Sequence, residues 1–110
     1  MSDAPLIVSV SGIRGIVGAS LTDETVSRFS DAFATWLPEQ ARVVLARDTR
    51  PSGAAFARIV SDSLMAAGCH VIDLGLCPTP VAKMMVLEME AQGALILTAS
   101  HNPAAWNGLK

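Results

Sequence analysis

The sequence predicts a three-layer α/β/α sandwich on a mostly parallel, mixed sheet of about four strands. Three observations lead there. Strand-like and helix-like segments alternate along the 110 residues with short connections. Residues 42–46 make a nearly continuous apolar run rather than an alternating one, as expected of a strand covered on both faces, and 94–97 is a second apolar run that reads as a buried strand. The segments between the strands carry apolar residues at helical spacing. Right-handed crossovers then place the loops after the second, third and fourth strands on one edge.

Residues 6–10 are a short β-rich run. Ser11-Gly12-Ile13-Arg14-Gly15 reads as a tight loop whose glycines permit positive φ and hold Arg14 outward. Ile16-Val17 is then the return strand of a hairpin-like excursion. Neither a P-loop nor GxGxxG is present. Thr22 is a capping hydroxyl, and Asp23 and Glu24 follow in the first turn, where the helix dipole favours acids. Val26, Phe29, Phe33 and Trp36 or Leu37 make one apolar face, and Pro38 ends the helix.

The strand at 42–46 runs into Arg47-Asp48-Thr49-Arg50-Pro51-Ser52-Gly53. The preferred reading is a helix N-cap plus an Arg–Asp ion pair that shapes the loop. The competing one is a phosphate contact through Arg50 or through backbone N–H groups at the helix start. Residues 54–67 form a helix with Phe56, Ile59, Val60, Leu64 and Met65 inward and Gly68 as its C-cap signal. Residues 69–74 are the next strand; His70 at its start reads as a surface or hydrogen-bonded residue. After a loop at 75–78, Thr79-Pro80 starts a helix with proline at its first position, running to about Ala91. Its methionines Met84, Met85 and Met89 read as core filler. Gly93 breaks it, and 94–97 is the last strand.

Apolar residues make up 51% and charged residues 16% of the chain. That is little charge for one small domain, so part of its surface is expected to be covered by further protein. A net charge of −2 offers no bulk attraction to nucleic acid or an anionic membrane. No apolar run approaches the ~20 residues that span a bilayer, and the first residues lack signal-peptide character. A cytoplasmic location is the expectation. Cys69 and Cys77 form neither CxxC nor a disulfide framework and read as buried free thiols.

The chemistry concentrates in Leu95-Ile96-Leu97-Thr98-Ala99-Ser100-His101-Asn102-Pro103, followed by a Trp106-Asn107-Gly108 turn and Lys110. A strand that empties into small and polar residues delivers them to the carboxyl edge of a sheet, where open α/β folds bind ligands. Ser100 has three readings. It is a turn hydroxyl, a hydrolase nucleophile, or a carrier of a phosphoryl group. The second wants GxSxG, which is absent, and His101 as a direct neighbour points away from Ser100. The third needs cationic and N–H donors, which Arg14, His101, Asn102 and Lys110 could supply, and a divalent metal. No carboxylate cluster suited to Mg²⁺ is visible; Asp48 and Asp73 are isolated at strand ends.

Thr98-Ala99-Ser100-His101-Asn102-Pro103 with Trp106-Asn107-Gly108-Leu109-Lys110 resembles the active-site serine loop of the α-D-phosphohexomutases, the superfamily of phosphoglucomutase, phosphomannomutase and phosphoglucosamine mutase. Ser11-Gly12-Ile13-Arg14-Gly15 resembles its amino-terminal arginine loop. Arg47-Asp48-Thr49-Arg50 with Ser52-Gly53 resembles the segment after its second strand. The resemblance spans essentially the whole chain and implies residues 1–110 as the phosphoserine-bearing first of four domains, ending before its last strand.

It further implies that Ser100 passes a phosphoryl group to a hexose monophosphate and recovers one from a 1,6-bisphosphate intermediate. A phosphoserine oxygen would ligate Mg²⁺, whose aspartates belong to a second domain. Arg14 and Lys110 would flank the transferring group with His101 close by, and Asn102 would shape the loop. The implied partners are a hexose phosphate and the remaining domains, without which the chain is expected to be inactive. The start and the Trp-Asn-Gly-Leu-Lys run are closest to phosphoglucosamine mutases; phosphoglucomutase or phosphomannomutase is the alternative. A non-catalytic α/β module binding a phosphorylated ligand is the runner-up from another class.

Overall fold

A computed structural model describes residues 6–9, 12–99 and 102–110. The chain opens with an antiparallel hairpin of β1 (Leu6–Ser9) and β2 (Gly12–Ile16), in which Ile7 faces Arg14. The glycine-rich segment is therefore strand from Gly12 onward rather than a loop, and Arg14 lies at its centre. The cause is pairing on both flanks: β2 also bonds antiparallel to the last strand, Trp106–Leu109. A Cβ at Gly12 would strike the Leu109 carbonyl oxygen, and φ there is +119°, so this crossing needs glycine. Val10 and Ser11, read as strand end and loop start, lie outside the described residues.

Helix α1 (Asp23–Trp36) begins as expected, with the Thr22 hydroxyl accepting from the Thr25 amide at 3.2 Å. Val26, Ser30 and Ala34 are its buried positions, and Phe29, Phe33 and Leu37 pack beside them. Trp36 is 82% exposed, so Leu37 closes the apolar face. The buried Ser30 hydroxyl donates back to the Val26 carbonyl at 2.8 Å.

Strand β3 (Arg42–Arg47) is buried on both faces. Val43 and Leu45 join the core under α1 and α2 (Gly53–Ala66), while Val44 and Ala46 join a second core on the opposite side. In α2, Phe56, Ala57, Val60 and Leu64 are buried, whereas Met65, expected inward, is exposed. Gly68 at φ +90° turns the chain out, and the Cys69 amide reaches back to the Leu64 carbonyl.

Strand β4 (His70–Leu76) pairs parallel to β3 and continues past the expected end at Leu74. The register shifts there: Leu45 faces Asp73, but Ala46 faces Gly75, which has φ +66°. The Asp73 carboxylate accepts from the Gly75 amide at 2.8 Å and steadies this bulge. What reads as a loop signal is thus an irregularity within a strand. His70 is exposed.

Helix α3 (Thr79–Glu88) has Pro78 at its cap, placing Pro80 one position later than expected, and it ends three residues before Ala91. Ala82 is buried and Met85 and Val86 pack on the second core; Met84 and Met89 are exposed, so the methionine stripe is not core filler as a whole. Strand β5 (Gly93–Leu97) runs parallel to β3 and divides Leu95 and Leu97 from Ile96 in the same two-faced way. Strand β6 (Trp106–Leu109) is the segment expected to be a turn. The sheet has six strands in the order β1-β2-β6-β5-β3-β4, not about four: parallel at β5-β3-β4 and antiparallel from β5 to β1. Helices α1 and α2 cover one face and α3 lies over β3 and β5 on the other, giving the α/β/α layers. No helix among the described residues is long and apolar enough to cross a membrane.

Candidate functional site

The carboxyl end of β5 meets the loop after β3. The Asp48 amide donates to the Leu97 carbonyl at 3.1 Å, and the Thr98 hydroxyl donates to Asp48 Oδ2 at 2.8 Å. Asp48 also organises its own loop, accepting from the Arg50 amide at Oδ1 (3.0 Å) and pairing with Arg50 Nε at Oδ2 (3.2 Å). The Arg50 side chain is only 10% exposed. Its Nη1 donates to the Pro103 carbonyl (2.7 Å) and the Trp106 carbonyl (3.1 Å). Of the two readings of this loop, the ion pair that shapes it describes the geometry. The accompanying N-cap does not form: Ser52 makes no side-chain cap bond, and its hydroxyl instead accepts from Nδ2 of the buried Asn107 at 2.7 Å.

Ser100 and His101, two of the expected site residues, lie outside the described residues. The Asn102 amide donates to the Ala99 carbonyl at 3.0 Å. Arg14 Nη1 donates to Asn102 Oδ1 at 3.0 Å, joining two of the expected site residues. The Trp106 amide donates to the Pro103 carbonyl, so the turn lies over 103–106 and β6 follows it.

Opposite Arg14 in the sheet is Gly108. A Cβ there would strike the Ile13 carbonyl oxygen and come within 2.8 Å of Arg14 Cγ. The missing side chain leaves the room that Arg14 Cγ occupies. Lys110 follows two residues later on the same face. Its backbone exchanges bonds with Ile96 at 2.9 and 3.0 Å, and with Lys83, Ala94 and Ile96 it borders an open cavity of about 260 Å³. Arg14, Lys110 and Lys83 therefore occupy one side of the sheet. Lys83 was not singled out from sequence; a lone lysine on an amphipathic helix carries no signal of its own.

Among the described residues no group of three or more histidine, cysteine, aspartate or glutamate side chains could hold a metal ion. Asp48 is engaged with Arg50 and Thr98, and Asp73 with Gly75. These carboxylates do not make a Mg²⁺ site. Cys69 is buried, Cys77 is partly buried, and both are free thiols.

Fold and edge together define an α/β/α domain in which the contacts of Arg14, Asp48, Arg50 and Asn102 gather beside the carboxyl end of β5. The chain belongs to the phosphoglucomutase/phosphomannomutase family: residues 6–110 match that family's alpha/beta/alpha domain I. It is 36% identical over 104 residues to a phosphoglucosamine/phosphogalactosamine mutase of Sulfurisphaera tokodaii, covering 94% of this chain and 23% of that protein. To a phosphoglucomutase/phosphomannomutase of Thermococcus kodakarensis it is 39% identical over 103 residues, covering 90% and 23%. A crystal structure assigned as a phosphomannomutase from Thermus thermophilus superposes with a TM-score of 0.89 at 36% identity, covering 100% of this chain and 26% of that one. The chain thus spans about a quarter of the length of these relatives.

Proposed function

We propose that this chain is the phosphoserine-bearing first domain of a phosphohexomutase, acting with further domains to interconvert hexose 1-phosphate and hexose 6-phosphate. Phosphoglucosamine is the preferred substrate, in keeping with the ending of the serine loop and with relatives named for it. The observation that carries the reading is the Arg14–Asn102 bond, which ties the first motif to the serine loop at the sheet edge.

In this reading Ser100 carries the phosphoryl group. The sugar hydroxyl oxygen attacks phosphorus and gives its proton to a base, while the bond to Ser100 Oγ breaks and that oxygen takes up a proton. The resulting 1,6-bisphosphate reorients and returns its other phosphoryl group to Ser100. Arg14 and Lys110 offset the charge of the transferring group or move the proton, with His101 beside them. Asn102 is held by Arg14 and shapes the loop. Mg²⁺ would neutralise phosphate charge, bound on this chain through the phosphate on Ser100, with its carboxylate ligands supplied from outside the described residues.

The test is incubation of the chain, together with the remaining domains and Mg²⁺, with glucose 1,6-bisphosphate, followed by intact-mass and peptide analysis. The expected result is one phosphoryl group on Ser100, abolished in Ser100→Ala. Absence of label in the wild-type chain, or label surviving in Ser100→Ala, overturns the assignment. Turnover of a hexose 1-phosphate is expected only when the other domains are supplied.

A further inference from the structure

We infer that Asp48, Arg50 and Ser52 act as a three-toothed comb that positions the Ser100 segment for phosphoryl transfer; this rests on the phosphoserine reading above. The three residues alternate along one short loop, and each grips a different part of the segment that follows β5. Asp48 holds its start, through its amide on the Leu97 carbonyl and its carboxylate on the Thr98 hydroxyl. Arg50 holds its return, with one nitrogen bridging the Pro103 and Trp106 carbonyls. Ser52 holds the first turn of β6, through Nδ2 of Asn107. The teeth are tied to each other as well: Arg50 Nε and its amide both donate to the Asp48 carboxylate.

The comb explains features that a solvated loop does not. Arg50 is almost wholly covered yet spans carbonyls of a segment more than fifty residues away. The Pro103 carbonyl accepts from the Trp106 amide as well, so Arg50 adds a second bond across the turn while keeping its Nε on Asp48. Asn107 is fully buried and spends both ends of its amide, on Ser52 and on the Gly108 amide. The anchors at Thr98 and at Pro103, Trp106 and Asn107 thus fix the described chain on both sides of the Ser100 position. Reactions that depend on alignment lose rate steeply with small displacements. The three residues touch no reacting atom in this account; they are positioning residues.

The experiment compares wild type with Arg50→Met. Amide hydrogen exchange is read at Thr98, Asn102, Trp106 and Gly108, with Val44 and Leu45 in β3 as internal reference. The comb predicts roughly tenfold faster exchange in the segment and unchanged exchange in β3. Equal acceleration in both places, or none in the segment, overturns it. Where Arg50→Met does not fold, Ser52→Ala is the milder cut. It must speed Trp106 and Gly108 relative to β3, and no change there refutes the comb.

Phosphoryl uptake from glucose 1,6-bisphosphate, with the remaining domains and Mg²⁺ supplied, is the second readout. At saturating donor the Arg50→Met rate is expected to fall on the order of 100-fold, with the half-saturating concentration within about twofold. An unchanged rate shows that the comb does not position Ser100. No uptake by the wild-type chain counts against the phosphoserine reading alone, and the exchange comparison then decides the comb by itself.

Discussion

Replacing Gly108 by alanine tests how β2 and β6 are brought together. The added Cβ would meet the Ile13 carbonyl oxygen, Arg14 Cγ at 2.8 Å and the Thr98 carbonyl oxygen at 2.9 Å. Arg14 can swing away, but two of the three neighbours are backbone carbonyls in a paired sheet and have no rotamer to change. Relief therefore requires β6 to shift against β2 and β5, stretching the Thr98 amide bond to the Gly108 carbonyl, now 3.1 Å. Overpacking of this kind costs about 3 kcal/mol, the upper part of its usual range. For a domain of this size that lowers Tm by roughly 12–15 °C. The control is Gly18→Ala. Gly18 has φ +81° with nothing within 4 Å of its would-be Cβ, so the penalty there is conformational alone, about 1 kcal/mol. Urea and thermal unfolding followed by circular dichroism measure both. If Gly108→Ala is no worse than Gly18→Ala, the close-approach account of this strand pair is wrong.

Four further outcomes follow from the same contacts. Leu97→Ala empties a fully buried position in the core beneath α1 and α2 and should destabilise by about 3 kcal/mol in urea titration. Asn107→Ala leaves the Ser52 hydroxyl and the Gly108 amide without their partner and should cost about 2 kcal/mol in the same assay, with faster exchange confined to the 103–109 region. Thr22→Ala removes the α1 cap and should cost about 1 kcal/mol; Thr22→Ser should restore most of it. Arg14→Met releases Asn102 and removes a cation from the site, so phosphoryl uptake at Ser100 should slow by on the order of 100-fold while Tm changes by only roughly 5 °C.

The central layers were legible because burial on two faces leaves a mark that propensity alone does not. Val43-Val44-Leu45-Ala46 reads as an unbroken apolar run, and the structure divides it evenly between two cores. The Thr22 cap was readable, and so was an Arg–Asp pair in the loop after β3, though not that Arg50 rather than Arg47 makes it; both are contacts between residues two or three apart. What sequence hid were the antiparallel strands β2 and β6, and for one physical cause. Their glycines are there because backbone meets backbone: a side chain at Gly12 would collide with Leu109, and one at Gly108 with Ile13. Glycine spacing that ordinarily marks a loop here marks a place where two strands approach too closely for any Cβ. Gly108 faces Arg14 and leaves space for its Cγ, and Arg14 bonds Asn102, so the glycine that disguised β6 as a turn also makes room for the arginine that reaches the serine segment. Reach across more than fifty residues, as in the bonds from Arg50 to Pro103 and from Asn107 to Ser52, has no local signature. A side chain at 108 would contest the space that Arg14 Cγ occupies, whatever the chemistry of the loop the arginine serves.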